Sequence, residues 1–182
     1  MKLSIKFFFN CLLIVTAIIY TDSLQAQSNF QKNKLTSAKK GFISVEERVE
    51  ILDLISQYSY TFDSKDVKAF LSLFASDLVW NACSDNGNKL VYEFTNLKSF
   101  EEAMIARFED FRKKGIQSRH FQTNTLLVKK VDGEIEATTM FNLQWKFADK
   151  ETPQPKDMGV YKSTIVKTSK GWKFKKRTAF FD

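Results

Sequence analysis

From Ile135 to Phe147 the chain alternates without a break, with Ile135, Ala137, Thr139, Phe141, Leu143, Trp145 and Phe147 on one side and Glu136, Thr138, Met140, Asn142, Gln144 and Lys146 on the other. A period of two sustained that long predicts one β-strand with a buried face and a solvated face. Asp132-Gly133 just before it is a hairpin signal, so residues 119–131 are expected to be its antiparallel partner. Gly159 to Thr168 and Trp172 to Phe181 form a second hairpin around Ser169-Lys170-Gly171, and the loop at 149–157 holds both prolines. On the last strand Lys173, Lys175 and Arg177 are expected to face solvent.

The layer that covers these strands lies upstream. Ser44-Val45-Glu46-Glu47 is a capping box, and Val45, Val49, Leu52, Ile55, Tyr58 and Phe62 follow at helical steps of three and four. Asp63-Ser64-Lys65-Asp66 interrupts this helix, and Ser64 is the expected cap of a shorter one carrying Val67, Phe70, Leu71 and Phe74. Asp77 to Cys83 and Leu90 to Phe94 read as two short strands around the Ser84–Asn88 turn. A third helix spans about Leu97 to Lys114, with Gly115 placed for a left-handed C-terminal cap. Helices first and long antiparallel strands last predict an α+β fold, a curved antiparallel sheet packed against three N-terminal helices and enclosing a pocket. There is no internal repeat and no low-complexity tract.

Composition narrows the function. At 182 residues and 43% hydrophobic the chain is long enough for one well-filled core. Its single histidine, His120, excludes any site built on two imidazoles, and two cysteines cannot make a zinc site of their own. No metal or organic cofactor is expected. The net charge of +7 is spread along the chain, so no nucleic-acid partner is expected.

Residues 1–26 read as a signal peptide: Lys2 and Lys6 open it, an apolar run extends from Phe7 to Tyr20, and Leu24-Gln25-Ala26 ends it on a small residue. The protein is therefore expected to be exported, periplasmic or secreted, with no stable membrane span once the signal is cleaved. Retention of the segment as an anchor stays open. Residues 27–43 are polar and basic, a flexible lead-in to the domain at 44–182. After cleavage Cys83 is the one remaining thiol, expected to be buried and inert.

Two polar residues stand where chemistry could occur. Asp63 follows directly on the apolar face of the first helix, and His120 opens the long strand region within Ser118-Arg119-His120-Phe121. A carboxylate that orients an imidazole suffices for proton transfer. Helix capping by Asp63 and a half-buried structural His120 would place the same residue types at the same positions. Trp80, Phe141, Trp145 and Tyr161 are candidates for a pocket wall, and Tyr58 or Asn124 for orienting a substrate oxygen.

The segment Tyr58-Ser59-Tyr60-Thr61-Phe62-Asp63-Ser64-Lys65-Asp66, then Phe70-x-x-Leu73-Phe74-x-x-Asp77-x-x-Trp80, then Arg119-His120-Phe121-x-x-Asn124 resembles the SnoaL-like group of the nuclear transport factor-like superfamily. Gly159-Val160-Tyr161 and Gly171-Trp172-Lys173-Phe174 are similar to its closing strands. The resemblance implies a cone with a deep apolar pocket. Among its members, the scytalone dehydratases carry a tyrosine-Asp-Ser-Lys-Asp segment similar to Phe62-Asp63-Ser64-Lys65-Asp66, with a strand histidine matching His120 as the partner in proton transfer. The tyrosine is Phe62 here, a second tyrosine falls near Ala82, and a second histidine falls near Val160 or Lys162, so scytalone is not the expected substrate.

Two functions stay open at this point. One is a cofactor-free lyase or isomerase, dehydratase- or cyclase-like, in which Asp63 and His120 are catalytic and Tyr58, Phe62, Trp80, Asn124, Phe141, Trp145 and Tyr161 bind a hydrophobic small molecule. The other is a non-catalytic module that binds such a molecule or a partner. A homodimer through the outer sheet face, at residues such as Met140 or Val166, fits either.

Overall fold

The structure, a computed structural model, describes residues 41–182, so the leader and most of the lead-in lie outside the described residues. At the end of the expected lead-in the Gly41 amide donates to the Lys129 carbonyl. Three helices, α1 (Val45–Asp63), α2 (Val67–Leu71) and α3 (Leu97–Lys113), pack against a six-stranded sheet. Its strands are β1 (Phe74–Ser84), β2 (Lys89–Phe94), β3 (Gln117–Lys129), β4 (Ile135–Lys146), β5 (Gln154–Thr168) and β6 (Gly171–Phe181), in the order β2-β1-β6-β5-β4-β3. All neighbours are antiparallel except β1 and β6, which run parallel. No helix among the described residues is long and apolar enough to cross a membrane.

The capping box at Ser44 and Glu47 forms as expected, and Lys129 grips both oxygens of Glu47 at 2.9 Å, tying the start of α1 to the end of β3. The buried face of α1 is Ile51, Leu54, Ile55, Tyr58 and Phe62, whereas Val45 and Val49 are exposed. Both stripes satisfy a 3.6-residue period and share Ile55, Tyr58 and Phe62; contact with the sheet decides between them. Ser64 does not cap α2: it closes α1, and the Asp66 carboxylate accepts the Ala69 amide instead. Lys65 absorbs the reversal at φ +60°. Gly115 adopts φ +61°, and the Ile116 amide bonds back to the Phe111 carbonyl, the left-handed cap expected there.

Inward-facing residues of β4 are those the alternation picks out, with Ile135, Ala137, Thr139, Phe141 and Leu143 buried. Register shifts interrupt all five strand pairings, and such irregularities bend and twist a sheet. Two of them correct the sequence reading. Strand β5 begins at Gln154, before Gly159, and takes in Pro155, which pairs with Gln144 beside the irregularity at Leu143/Gln144, a bulge being one of the places where a sheet tolerates proline. On β6 the pairs Phe174↔Ile165 and Lys176↔Thr164 leave Lys175 unmatched. That extra residue reverses the phase: Trp172 and Phe174 are buried before it, Arg177 and Ala179 after it. Arg177 is therefore fully buried, not on the solvated face.

Between helices and sheet lies an aromatic core. Phe70 meets Tyr58, Phe62, Phe74 and Phe108 with ring centroids 5.1–5.9 Å apart, mostly at steep angles, the edge-to-face arrangement that aromatic quadrupoles favour.

Candidate functional site

Asp63 is the last residue of α1, and Ser118 and His120 are alternate residues of β3, so a helix end meets one face of a strand. The Asp63 carboxylate collects three donors there. Its Oδ1 accepts the Ser118 hydroxyl at 2.8 Å and lies 2.7 Å from His120 Nδ1, while Oδ2 accepts the His120 backbone N–H at 2.8 Å. Gln117 Nε2 donates to the Asp63 carbonyl, closing the junction. The imidazole is 3% exposed. Burial, the strongest single influence on Asp63, works to raise its pKa, but the His120 imidazole and amide and the Ser118 hydroxyl together hold it below the ordinary carboxylate value. An ionised carboxylate can only accept, so in the neutral ring the proton sits on Nδ1. Nε2 is left with no hydrogen-bond partner among the described residues.

The order of the contacts excludes one chemistry. Ser118 is fully buried and spends its hydroxyl on the carboxylate, not on the imidazole, so the three side chains do not form a nucleophile–base–orienter chain. What they form is an oriented base or acid.

Two spaces reach it. On the inner side a cavity of about 250 Å³ is bounded by His120 together with Tyr58, Phe62, Trp80 and Tyr161. The Phe62 ring packs against the imidazole at 4.7 Å and 72°. Arg107 and Asp157 also line this cavity. On the outer side a cleft of about 740 Å³ runs between α1 and β3, past Asp63, Ser59 and Gln122. Among the described residues no three His, Cys, Asp or Glu side chains gather in a way that could hold a metal ion.

A family model described as SnoaL-like domain matches residues 44–178. The chain belongs to the SnoaL-like family. Solved structures repeat the SnoaL-like fold at low identity: ActVI-ORFA of Streptomyces coelicolor (TM-score 0.65, 18% identity, 76% of this chain and 97% of that one); a candidate scytalone dehydratase of Novosphingobium aromaticivorans (0.62, 19%, 76% and 85%); and the beta subunit of benzoate 1,2-dioxygenase from Burkholderia mallei (0.64, 14%, 78% and 93%). No curated protein matches the chain in sequence.

Of the residues singled out from the sequence of this SnoaL-like protein, Asp63 and His120 meet, and Tyr58, Phe62, Trp80 and Tyr161 stand around the same cavity. Three others do not reach it. Phe141 lies behind Tyr161, stacked on it at 4.2 Å. Trp145 packs on Phe111 and Phe147, with the Lys156 ammonium over its ring. Asn124 is exposed at φ +53°, in the irregularity between Thr123 and Leu126, where its amide reaches Met140 Sδ. Sequence reasoning missed Ser118, Gln122 and Arg177. The first two are signalled only by sharing His120's face at a period of two; the third was hidden by the β6 irregularity.

Proposed function

We propose that this SnoaL-like protein binds a small, largely apolar molecule in the inner cavity and that His120, held by Asp63, takes or returns a proton on it through Nε2. The observation that carries this reading is the split use of the ring: one nitrogen is fixed on a buried carboxylate and the imidazole forms part of the cavity wall. In such a pair the carboxylate fixes the tautomer and stabilises the imidazolium, and Nε2 is the working base. The reaction class is proton abstraction next to a carbonyl, the first step common to isomerisation, cyclisation and dehydration. The proton moves from carbon to Nε2, the electron pair moves onto the carbonyl oxygen, and Tyr58 and Tyr161 stand beside that oxygen as candidate donors. Relatives whose names denote a dehydratase are in keeping with this class.

The test needs no native substrate. 2-Tetralone, a bicyclic ketone with exchangeable α-protons, is incubated with the protein in D2O and followed by proton NMR. The native protein is expected to accelerate loss of the α-proton signals, and His120→Ala to abolish that acceleration. The base itself is worth about 10²–10⁴-fold, and Asp63→Asn is expected to forfeit part of that by leaving the tautomer of the ring unfixed. Acceleration that persists in His120→Ala removes the histidine from the mechanism.

A second reading, binding without chemistry, is favoured by the hydrocarbon beside the imidazole. Phe62 offers no hydroxyl to hold a water or donate a proton. It is supported if the ketone binds and its α-protons do not exchange.

A further inference from the structure

Arg177 is fully buried, yet among the described residues no carboxylate pairs with it. Its Nη1 donates to Ser163 Oγ at 2.9 Å and its Nη2 to Gln122 Oε1 at 2.6 Å, both neutral acceptors, while Nε has no partner. The amide of Gln122 cannot turn round, because its Nε2 is committed to the Ile55 carbonyl and the Ser59 hydroxyl. The guanidinium carbon lies 4.0 Å from the centre of the Tyr58 ring and 3.9 Å from that of Tyr161. Burial lowers the Arg177 pKa from its ordinary value, and the two phenols offset this; a guanidinium keeps its proton even so. The fold thus holds a positive charge with no carboxylate in contact with it, and places it against two rings that bound the cavity.

A buried charge is costly without a counter-charge, and across a few ångströms of weakly polarisable interior its field is felt far more strongly than in water. Arg107 and Asp157, the formally charged side chains lining the cavity beyond His120, are of opposite sign, and the Asp63 carboxylate behind His120 is engaged by its three donors. Arg177 does not itself bound the cavity, so it cannot read a ligand by contact. It can make the space behind Tyr58 and Tyr161 electropositive and their hydroxyls better donors.

We propose that the cavity takes a ligand with an acidic oxygen, a carboxylate, phenolate or enolate, and that Arg177 is the positioning charge that selects it, acting through the Tyr58 and Tyr161 rings. This rests on the inner cavity being the ligand site, as proposed above, and names the class of ligand. An enolate left when His120 removes a proton belongs to that class, so the same charge favours the proton transfer.

Two probes of nearly one shape test it: 2-naphthoate, an anion, and 2-naphthamide, which is neutral. Their binding to the full chain is measured by titration calorimetry at neutral pH. The native protein is expected to bind naphthoate at least tenfold more tightly than naphthamide. Arg177→Met is expected to bring the ratio close to one while changing naphthamide binding less than threefold. Gln122→Glu does the same without removing the guanidinium, by setting a carboxylate against Nη2; it keeps the test decisive should Arg177→Met fail to fold. A tenfold preference that survives in Gln122→Glu, or that disappears in Arg107→Met instead, overturns the role of Arg177. Equal binding of both probes by the native protein overturns the ligand class alone, and binding of neither overturns the cavity reading together with it.

Discussion

At the scale of single residues the junction of Asp63, Ser118 and His120 sets the expectations. Three donors converge on two carboxylate oxygens, and an asparagine at 63 has one acceptor for them. Asp63→Asn is expected to cost about 1–3 kcal/mol, the penalty of leaving a buried donor unsatisfied, and to replace the Nδ1–H form of the ring by a mixture of tautomers. Nitrogen-15 shifts of the chain's one imidazole read this directly, and an unchanged tautomer would deny Asp63 its orienting role. The same junction fixes an acid limit. Because the Asp63 carboxyl titrates lower in the folded protein than in the unfolded chain, its stabilisation is complete above the unfolded value, near pH ~4, and fades as pH falls through the folded value. Urea titrations from pH 6 to pH 2 should show a loss of stability in the native protein that Asp63→Asn lacks. Asp63 and His120 were legible from their places, after an apolar helix face and at the opening of the long strands, together with the resemblance of their segments to the SnoaL-like group, since the residue types alone fit a helix cap and a structural histidine equally. Ser118 and Gln122 were not, since serine and glutamine on a strand carry no sign of burial until the strand's partners are known.

Among the elements, one close approach in β5 and one irregularity in β6 shape the site. In β5, Gly159 adopts φ +152° and a Cβ there would lie 1.9 Å from the Phe180 carbonyl oxygen. The close approach brings β5 against β6 two residues before Tyr161, and Gly159 pairs with Phe181, which lines the cavity. Gly159→Ala is expected to destabilise by roughly 3 kcal/mol, combining backbone strain with overpacking, and to shift the Tyr161 ring. Thermal unfolding measures the first, and the stacked Phe141–Tyr161 pair offers ring NMR shifts for the second. In β6 the unmatched Lys175 turns Arg177 inward. Nothing in Trp172-Lys173-Phe174-Lys175-Lys176-Arg177 marks where the phase changes, because the phase that puts Trp172 and Phe174 inside would also put Phe180 inside at the far end of the strand. Two helix ends were legible for the opposite reason, because they are marked chemically: α1 starts on a capping box at Ser44 and α3 stops at a glycine cap at Gly115. Which stripe of α1 faced the sheet was settled by packing alone.

For the whole molecule the governing fact is the parallel pairing of β1 with β6. Hairpins announce antiparallel neighbours in the sequence; a pairing between the first strand and the last has no local signal, so the α+β class could be inferred and the strand order could not. Removal of Thr178 to Asp182 strips pairing from β1 and β5 together, from Asn81 to Cys83 on one side and from Gly159 to Lys162 on the other. The shortened chain is expected to lose its cooperative thermal transition and the near-ultraviolet signal of its packed aromatics, whereas removal of an equal length before Gly41 should leave both intact. Retention of both signals after the C-terminal removal would show that the sheet closes without its central pairing.

That arrangement also separates the order of synthesis from the order of assembly. The strand that joins the two halves of the sheet, β6, follows every strand of both halves along the chain, so β2-β1 and β5-β4-β3 are synthesised before the strand that pairs with each of them. Until β6 is made, β1 and β5 have no partner on their facing edges, and the aromatic interior lacks Trp172 and Phe174.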